Sequence, residues 1–345
     1  MTISLCMILR KEDLPFLNTC LMNTAPGVDE IIIVIDKPDQ DIAAVADQYK
    51  ARLITQPFPE SFAEQRNRSI AEAQMDWILV LDADEILAAG DLDRLKAAAK
   101  GAVVACSLVQ LTYTNDTAQE RFVPAKNELT QQFGFAGYFP VEMIRFFRNH
   151  QGISFTRRVH EMVDEIIEQK GLAQQVVRTD IPIHHLKMLR PSLREDELRY
   201  LQLLQLEVKE HPDSAKAWFD IGTIQFFTLR NPFAAAASLE RALTLRPSFT
   251  EAGMNLAFVY GHLKRYKEAL AVYRRLPADA AVLSGMGTCL FHLGRHAKAI
   301  SCYRQAAALQ PEKKEEIEKK IALIRAARPV PGKGRKRGSR AQSQE

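Results

Sequence analysis

The chain has 345 residues, 47% of them hydrophobic and 26% charged, a composition that suits a globular protein with room for two well-buried cores. No apolar run approaches the roughly 20 residues of a membrane-spanning helix. The net charge of +4 sits in the tail, where six Lys/Arg face one acid from Arg328 to Glu345, so the remainder is close to neutral and offers no basic surface of the kind specific nucleic-acid binding needs.

The opening Met1-Thr2-Ile3-Ser4-Leu5-Cys6-Met7-Ile8 lacks a basic lead-in and a small-residue cleavage site, and reads as a first strand rather than a signal peptide. A helix is expected over residues 14–23, then a strand at Ile31-Ile32-Ile33-Val34-Ile35-Asp36, whose β-branched run leaves little alternative. Residues 42–50 read as helix and 52–54 as strand. Residues 61–74 read as helix with Ser61 as its cap, and 77–81 as strand. This βαβαβαβ order predicts a mostly parallel sheet with right-handed crossovers. Further strands are expected at 103–113, 144–148, 158–163 and 181–185, with residues 115–138 as a loop over the substrate.

Trp77-Ile78-Leu79-Val80-Leu81 is a short, fully apolar run that ends abruptly in Asp82-Ala83-Asp84-Glu85, three carboxylates in four residues. In an open α/β sheet the C-terminal ends of the strands are where ligands bind. Carboxylates crowded there repel one another unless a cation intervenes, and oxygen ligands suit Mg²⁺ or Mn²⁺ with phosphates and water completing the shell. The alternative is a solvated acidic turn.

After Pro191 the pattern is helical throughout. Gly222, Ala257 and Gly287 are spaced 35 and 30 residues apart, bracketing the 34-residue tetratricopeptide period, and the apolar positions around them line up in three near-repeats across 215–311. Residues 200–212 read as the last helix of a degenerate preceding unit and 315–327 as a polar-faced cap. The tail has almost nothing apolar to bury and is expected to be disordered, serving solubility or contact with an anionic membrane. The expected domains are therefore 1–198, 199–327 and the basic tail 328–345. Five cysteines (6, 20, 106, 289, 302) show no metal-type spacing and cannot all pair, which points to a reducing, cytoplasmic setting.

Four segments together resemble a known family. They are Ser4-Leu5-Cys6-Met7-Ile8-Leu9-Arg10-Lys11-Glu12, Phe62-Ala63-Glu64-Gln65-Arg66-Asn67, Asp76 through Glu85, and Ile144-Arg145-Phe146-Phe147-Arg148-Asn149 running on to Arg158-Val159-His160-Glu161. In order and spacing this half is similar to the family 2 glycosyltransferases of the GT-A fold, in the bacterial branch that carries tetratricopeptide repeats after the catalytic domain. The resemblance implies an α/β GT-A domain followed by an all-α repeat solenoid. It implies a nucleotide-diphosphate sugar as donor, Mn²⁺ or Mg²⁺ as cofactor, and a single displacement that inverts the anomeric carbon.

It also implies roles residue by residue, each with a plainer counterpart. Asp36 would accept from the nucleotide base, or would only cap the next helix. Arg66 would pair with the diphosphate, or would be a solvated helix residue. Asp84 would bind the metal, and Asp82 would mainly hold ribose or sugar beside it; Glu85 is a neighbouring support or a solvated acid. Glu161 would be the base that takes the acceptor's proton, or would be ion-paired with Arg157 or Arg158. His185 would complete the metal shell, with His160 and His184 as rivals, or would be an ordinary core or surface histidine. Phe133, Phe135, Tyr138 and Phe139 form either a sugar-stacking wall or the core of the covering loop.

Two positions depart from the family pattern. Lys11 stands where Asn is common, and Asp36-Lys37-Pro38-Asp39 replaces an Asp-x-Gly-Ser turn, so the loop after Asp36 must differ. The expected acceptor is a protein or peptide gripped by the repeats, which also suit a homodimer; a cell-envelope saccharide or lipid-linked glycan is the second reading, and a repeat scaffold without turnover the third.

Overall fold

The computed structural model describes residues 1–117, 121–186, 189 and 194–326; the expected basic tail lies outside them. The chain divides into two compact units, Met1–Glu207 and Val208–Glu345. The division falls inside a long helix, α7 (Arg194–Glu210), whereas the sequence reading sets it at 198/199.

The first unit is built on a nine-stranded mixed sheet. Its strands are β1 (Ile3–Leu9), β2 (Glu30–Ile35), β3 (Arg52–Thr55), β4 (Trp77–Val80), β5 (Glu85–Ile86), β6 (Ala105–Thr114), β7 (Val123–Pro124), β8 (Gly137–Arg148) and β9 (Val176–His185). The order is β3-β2-β1-β4-β8-β6-β9-β5, with β7 paired to β8. β1, β2, β3 and β4 are mutually parallel, as the βαβ order requires, and β8 enters antiparallel to both β4 and β6. The chain therefore starts in the middle of the sheet and winds outward both ways from β1. The C-terminal ends of β1 and β4 open on the crevice where such sheets bind ligands.

Helices cover both faces. Leu17, Cys20 and Leu21 of α1 (Leu14–Thr24), Ile42 and Ala46 of α2 (Gln40–Gln48), and Leu92 and Leu95 of α4 (Ala89–Ala98) pack on one side of the strands. Ala63 of α3 (Phe62–Ala71) and Ile167 of α6 (Asp164–Gln169) close the other with Phe155 and Val163. Ser61 caps α3, its hydroxyl accepting from the Glu64 amide at 3.2 Å.

Two expectations are corrected. Residues 158–163 form no strand: an isolated bridge joins Thr156 to Met162, and Arg157 and His160 lie at φ +75° and +53°. A left-handed backbone at two non-glycine residues turns the segment back on itself, so it cannot run extended. Residues 115–138 are not a plain loop either, since they carry β7, α5 (Glu128–Phe133) and the start of β8.

The second unit is three helix hairpins and a closing helix. α8 (Ala215–Phe227) pairs with α9 (Pro232–Leu245), α10 (Thr250–His262) with α11 (Tyr266–Tyr273), and α12 (Ala280–His292) with α13 (His296–Leu309); α14 (Lys314–Ala326) follows. The small residues do what their spacing implies. A Cβ on Gly222 would sit 2.7 Å from Leu239 Cγ, and one on Gly287 would sit 2.9 Å from the Tyr303 ring. Ala257, the third of the series, is 1% exposed. Ile317, Ile321 and Ile324 of α14 cover the end of the apolar seam.

Candidate functional site

The tip of β4 is a closed turn. The Glu85 amide donates to the Asp82 carbonyl at 3.0 Å, and the Asp82 amide donates to Glu85 Oε2 at 2.8 Å. Glu85 Oε1 accepts from Gln110 Nε2. Glu85 is fully buried, so the solvated reading of this acid is corrected: both its oxygens are spent on holding the turn. That fixes where Asp82 and Asp84 sit. β5 then pairs with the end of β9, setting Glu85 opposite His185.

Arg66, on α3 and only 4% exposed, joins the upstream and downstream motifs. Its Nη2 donates to Asp82 Oδ1 at 2.7 Å and its Nε to Glu161 Oε1 at 2.8 Å. The alternative partners for Glu161 are corrected. Arg157 pairs instead with Glu165 at 2.9 Å through Nε, and Arg158 Nη1 donates to the Glu60 carbonyl at 3.0 Å. Asn67 explains how a turn so far along the chain reaches Arg66. Its amide group bonds both the N–H and the carbonyl of Phe155 (2.8 and 2.9 Å), and the Phe62 amide donates to the Arg158 carbonyl at 2.9 Å. The turn is held from the other side by α7, where Glu207 Oε2 accepts from the Arg158 amide at 2.7 Å and the Tyr200 hydroxyl meets His160 Nε2 at 3.0 Å.

Arg145, inside the segment Ile144–Asn149, is a site residue that the sequence does not single out. It lies on β8 among Ile144, Phe146 and Phe147, 9% exposed, with Nη2 3.6 Å from Asp82 Oδ2 and 3.8 Å from Glu85 Oε1. A charged residue inside a run of four buried strand positions is the signal that marks it, because a buried guanidinium demands carboxylate partners. Burial pushes the Asp82 carboxyl up, but Arg66 and Arg145 outweigh it and hold the group well below the usual carboxylate range. Glu85 goes the other way: burial raises it, Asp82 adds to the rise, and Arg145 only partly offsets them.

Arg66, Asp82, Asp84, Arg145, Glu161 and His185 line one cavity of about 460 Å³, together with Gln65 and Gln110. Three donors in these walls are buried and without a hydrogen-bond partner: Gln65 Nε2, Arg66 Nη1 and Arg145 Nη1. Leaving buried donors unpaired costs about 1–3 kcal/mol each, more for charged groups. Their presence in one cavity points to an anion with several oxygens.

Asp36 lines a second cavity of about 520 Å³ with Lys11, Lys37 and Asp39, and Arg10 borders both cavities. Its reading as a helix cap is corrected, since the cap of α2 is Asp39, whose side chain accepts from the Asp41 and Ile42 amides at 3.0 Å. Lys11 reaches to 3.8 Å from Asp39, so both departures from the family pattern meet at this end of the cleft.

The histidines separate. His185 Nε2 lies 3.6 Å from Asp84 Oδ2, while its Nδ1 meets the Thr112 hydroxyl at 3.1 Å. His184 instead bonds the Tyr113 hydroxyl at 2.8 Å, and burial lowers its pKa. Tyr113 packs with Phe133, Phe135 and Tyr138, so those three aromatics are the core of the covering segment and not a wall of the cavity. Among the described residues, no three His, Cys, Asp or Glu side chains converge as a ready-made metal group.

Residues 4–163 match the model of glycosyl transferase family 2, and residues 280–313 match a tetratricopeptide repeat. The mixed α/β unit thus matches glycosyl transferase family 2, and the helices that follow it include a match to the tetratricopeptide repeat. A TPR repeat-containing protein of Synechococcus elongatus is 30% identical over 220 residues, covering 62% of this chain and 49% of that protein. The chain therefore spans about half the length of the curated relative it matches. Two solved structures also resemble it weakly. MamA 41-end from Desulfovibrio magneticus RS-1 is 22% identical over 41% of this chain and 78% of its own, with a TM-score of 0.36. A crystal structure of MamA is 19% identical over 39% and 79%, also at 0.36. Likeness this slight supports no conclusion.

Proposed function

We propose that this glycosyltransferase moves a sugar from a nucleotide-diphosphate sugar to a protein or peptide acceptor, with inversion, in one metal-assisted displacement. The observation that carries the donor half is the trio of unpartnered buried donors, Gln65 Nε2, Arg66 Nη1 and Arg145 Nη1, in a single cavity. A diphosphate satisfies all three at once. Arg66 accepts it without breaking either existing ion pair, because Nε and Nη2 stay on Glu161 and Asp82 while Nη1 takes a phosphate oxygen. The nucleoside extends past Arg10 into the cavity beside Asp36, and the acceptor enters on the Glu161 side.

The residues fit a divalent ion of a particular kind. Asp84 and His185 bring one oxygen and one nitrogen within 3.6 Å, close to the roughly 3 Å that separates neighbouring ligands in an octahedral shell. Asp82, whose oxygens face Arg66 and Arg145, would be a weaker ligand for such an ion than Asp84 and His185. Two protein donors suit Mg²⁺ or Mn²⁺ completed by water and phosphate, and such an ion would neutralise charge on the departing diphosphate. Asp82 orients the donor's sugar or ribose from the fixed turn. Glu161 takes the proton from the acceptor as its nucleophilic atom forms the new bond to the anomeric carbon and the carbon–phosphate oxygen bond breaks. Arg66 and Arg145 hold the diphosphate that carries away the electron pair.

The test is a panel of nucleotide sugars with Mn²⁺, read by thermal stabilisation of the full chain and by slow donor hydrolysis. A cognate donor at 100-fold its dissociation constant should stabilise the protein by ~2.7 kcal/mol. Asp84→Asn should remove the metal dependence of that stabilisation. No response to any donor, or a response that Asp84→Asn and Arg145→Met leave untouched, would overturn the assignment.

A further inference from the structure

The second unit exposes a patch unlike the rest of its surface. Phe226, Phe227, Phe258 and His262, with Pro232 and Arg230, line a cavity of about 350 Å³ at the turn-side ends of α8 and α10. Phe226 is 8% exposed and forms the floor; Phe227 and Phe258 are 48% and 47% exposed and form the walls. The rings brace one another: Phe226 lies 5.6 Å from Phe258 and 5.0 Å from His262, and Phe258 lies 4.6 Å from His262. Leu229 and Phe233, 38% and 76% exposed, extend the apolar surface along the turn. Clustered exposed aromatics of this size mark recognition surfaces rather than chance exposure.

The charge around the patch has one dominant sign. The turns joining the helices of the three hairpins carry Arg230, then Lys264 and Arg265, then Arg295, and Lys267 and Lys298 follow in the first turns of α11 and α13. The acid among them, Glu268, is drawn to Arg265 at 3.2 Å. A basic edge beside an apolar cavity complements a segment that is acidic and carries a large apolar side chain. The chain's own tail cannot be that segment, because it holds six Lys/Arg against one acid. A saccharide is a poor fit too: the lining offers rings, a proline, one guanidinium and one imidazole, with no carboxylate or amide to bond a row of hydroxyls.

We infer that this aromatic cavity with its basic rim docks an acidic polypeptide segment of the acceptor, anchored by one aromatic or large aliphatic side chain. The inference rests on the reading of the chain as a protein glycosyltransferase and names the acceptor class for it. The apolar anchor supplies most of the affinity by leaving water for a preformed cavity, and the acids add encounter rate and orientation against Arg230, Lys264 and Arg265.

The experiment uses the full chain and fluorescein-labelled synthetic peptides, read by fluorescence anisotropy. The peptides are glutamate-rich with a central Phe, Leu or Ala, alongside lysine-rich counterparts and a glutamate-free glucan oligomer. Glutamate-rich peptides with Phe or Leu should bind, and the Ala version should bind roughly tenfold more weakly or worse, equivalent to ~1.4 kcal/mol. Phe258→Ser should cost a similar factor. Arg230→Glu with Lys264→Glu, both at exposed positions, should turn preference toward the lysine-rich set even if the serine variant folds poorly. Binding of the glucan in preference to peptide, self-association that Phe258→Ser abolishes, or no peptide binding at all overturns the inference. Donor stabilisation of the unmodified chain is read in the same samples. Donor response without peptide binding sinks the docking surface alone; peptide binding without donor response sinks glycosyl transfer and leaves the surface standing.

Discussion

The two units place their exceptions on opposite sides of the surface. In the first, polar and charged groups go inside: Gln65, Arg66, Asp84, Glu85, Gln110 and Arg145 are all buried. In the second, Ser238 is the one buried polar residue among those described, and the exceptions are apolar groups outside, with Phe227, Phe233 and Phe258 exposed. Ordinary packing does neither, since buried charge must be compensated and exposed aromatic clusters invite association. One unit keeps charge from water; the other leaves rings in it.

Three perturbations should break or sharpen that contrast. The largest is Arg66→Ala, which leaves Asp82 and Glu161, both partly buried, without the guanidinium they share. Losing one partner of a buried ion pair typically costs about 3–5 kcal/mol, and hydrogen exchange should show the loss in the first unit with the helices of the second unchanged. A chain that tolerates Arg66→Ala within 1 kcal/mol, on the order of a surface substitution, would deny that these charges are truly interior. Next is Gly287→Ala, the matching insult to an apolar seam. Tyr303 is held in place by its hydroxyl contact with Thr288 at 2.8 Å, so its ring cannot retreat freely from a new methyl. Overpacking of this sort costs about 1–3 kcal/mol, read as faster exchange in α12 and α13 alone. Equal loss in both units would erase the distinction.

The smallest effect concerns pH. Glu85 is held above its ordinary value, so the folded chain keeps a proton that the unfolded chain releases above pH ~4.3. Its contribution is complete below that pH and is lost as pH rises through the folded value. Asp82, held low, contributes above pH ~3.9 and loses its contribution only as pH falls through its folded value. Glu85→Gln should therefore flatten the decline in stability of the first unit above pH ~4.3 while sparing the acid limb. Urea melts across pH measure this, and an unchanged decline would assign it to other groups.

The sequence revealed those features that follow from periodicity or from a small residue at fixed spacing. Ile31 to Ile35 could be little but a strand, and Gly222 and Gly287 announced close helix approach before any helix was placed. What stayed hidden depends on pairing across distance. Glu85 looks like one more acid in a surface turn until Gln110, far along the chain, takes up its second oxygen. Arg145 reads as an interruption of an apolar strand because its carboxylates lie on another strand's tip. Residues 158–163 misled for a local reason: alternation of side chains says nothing of a left-handed backbone at Arg157 and His160. Such conformations cost about 1–3 kcal/mol each and persist where surrounding contacts over-determine them. The bonds from Asn67 and Glu207 supply that constraint here.

Glu207 carries a consequence for the order in which the protein is made. It is 1% exposed and bonds the backbone at Arg158, beside the turn that presents Glu161. A ribosome that has delivered everything through residue 163 has already supplied every carboxylate and guanidinium of the cavity, yet nothing that fixes this turn from the far side. The tether arrives only with α7, the helix on which the repeats begin. A chain that stops short of α7 therefore lacks the bond from Glu207 to the Arg158 amide, and holds the Glu161 turn by its contacts with Arg66 and Asn67.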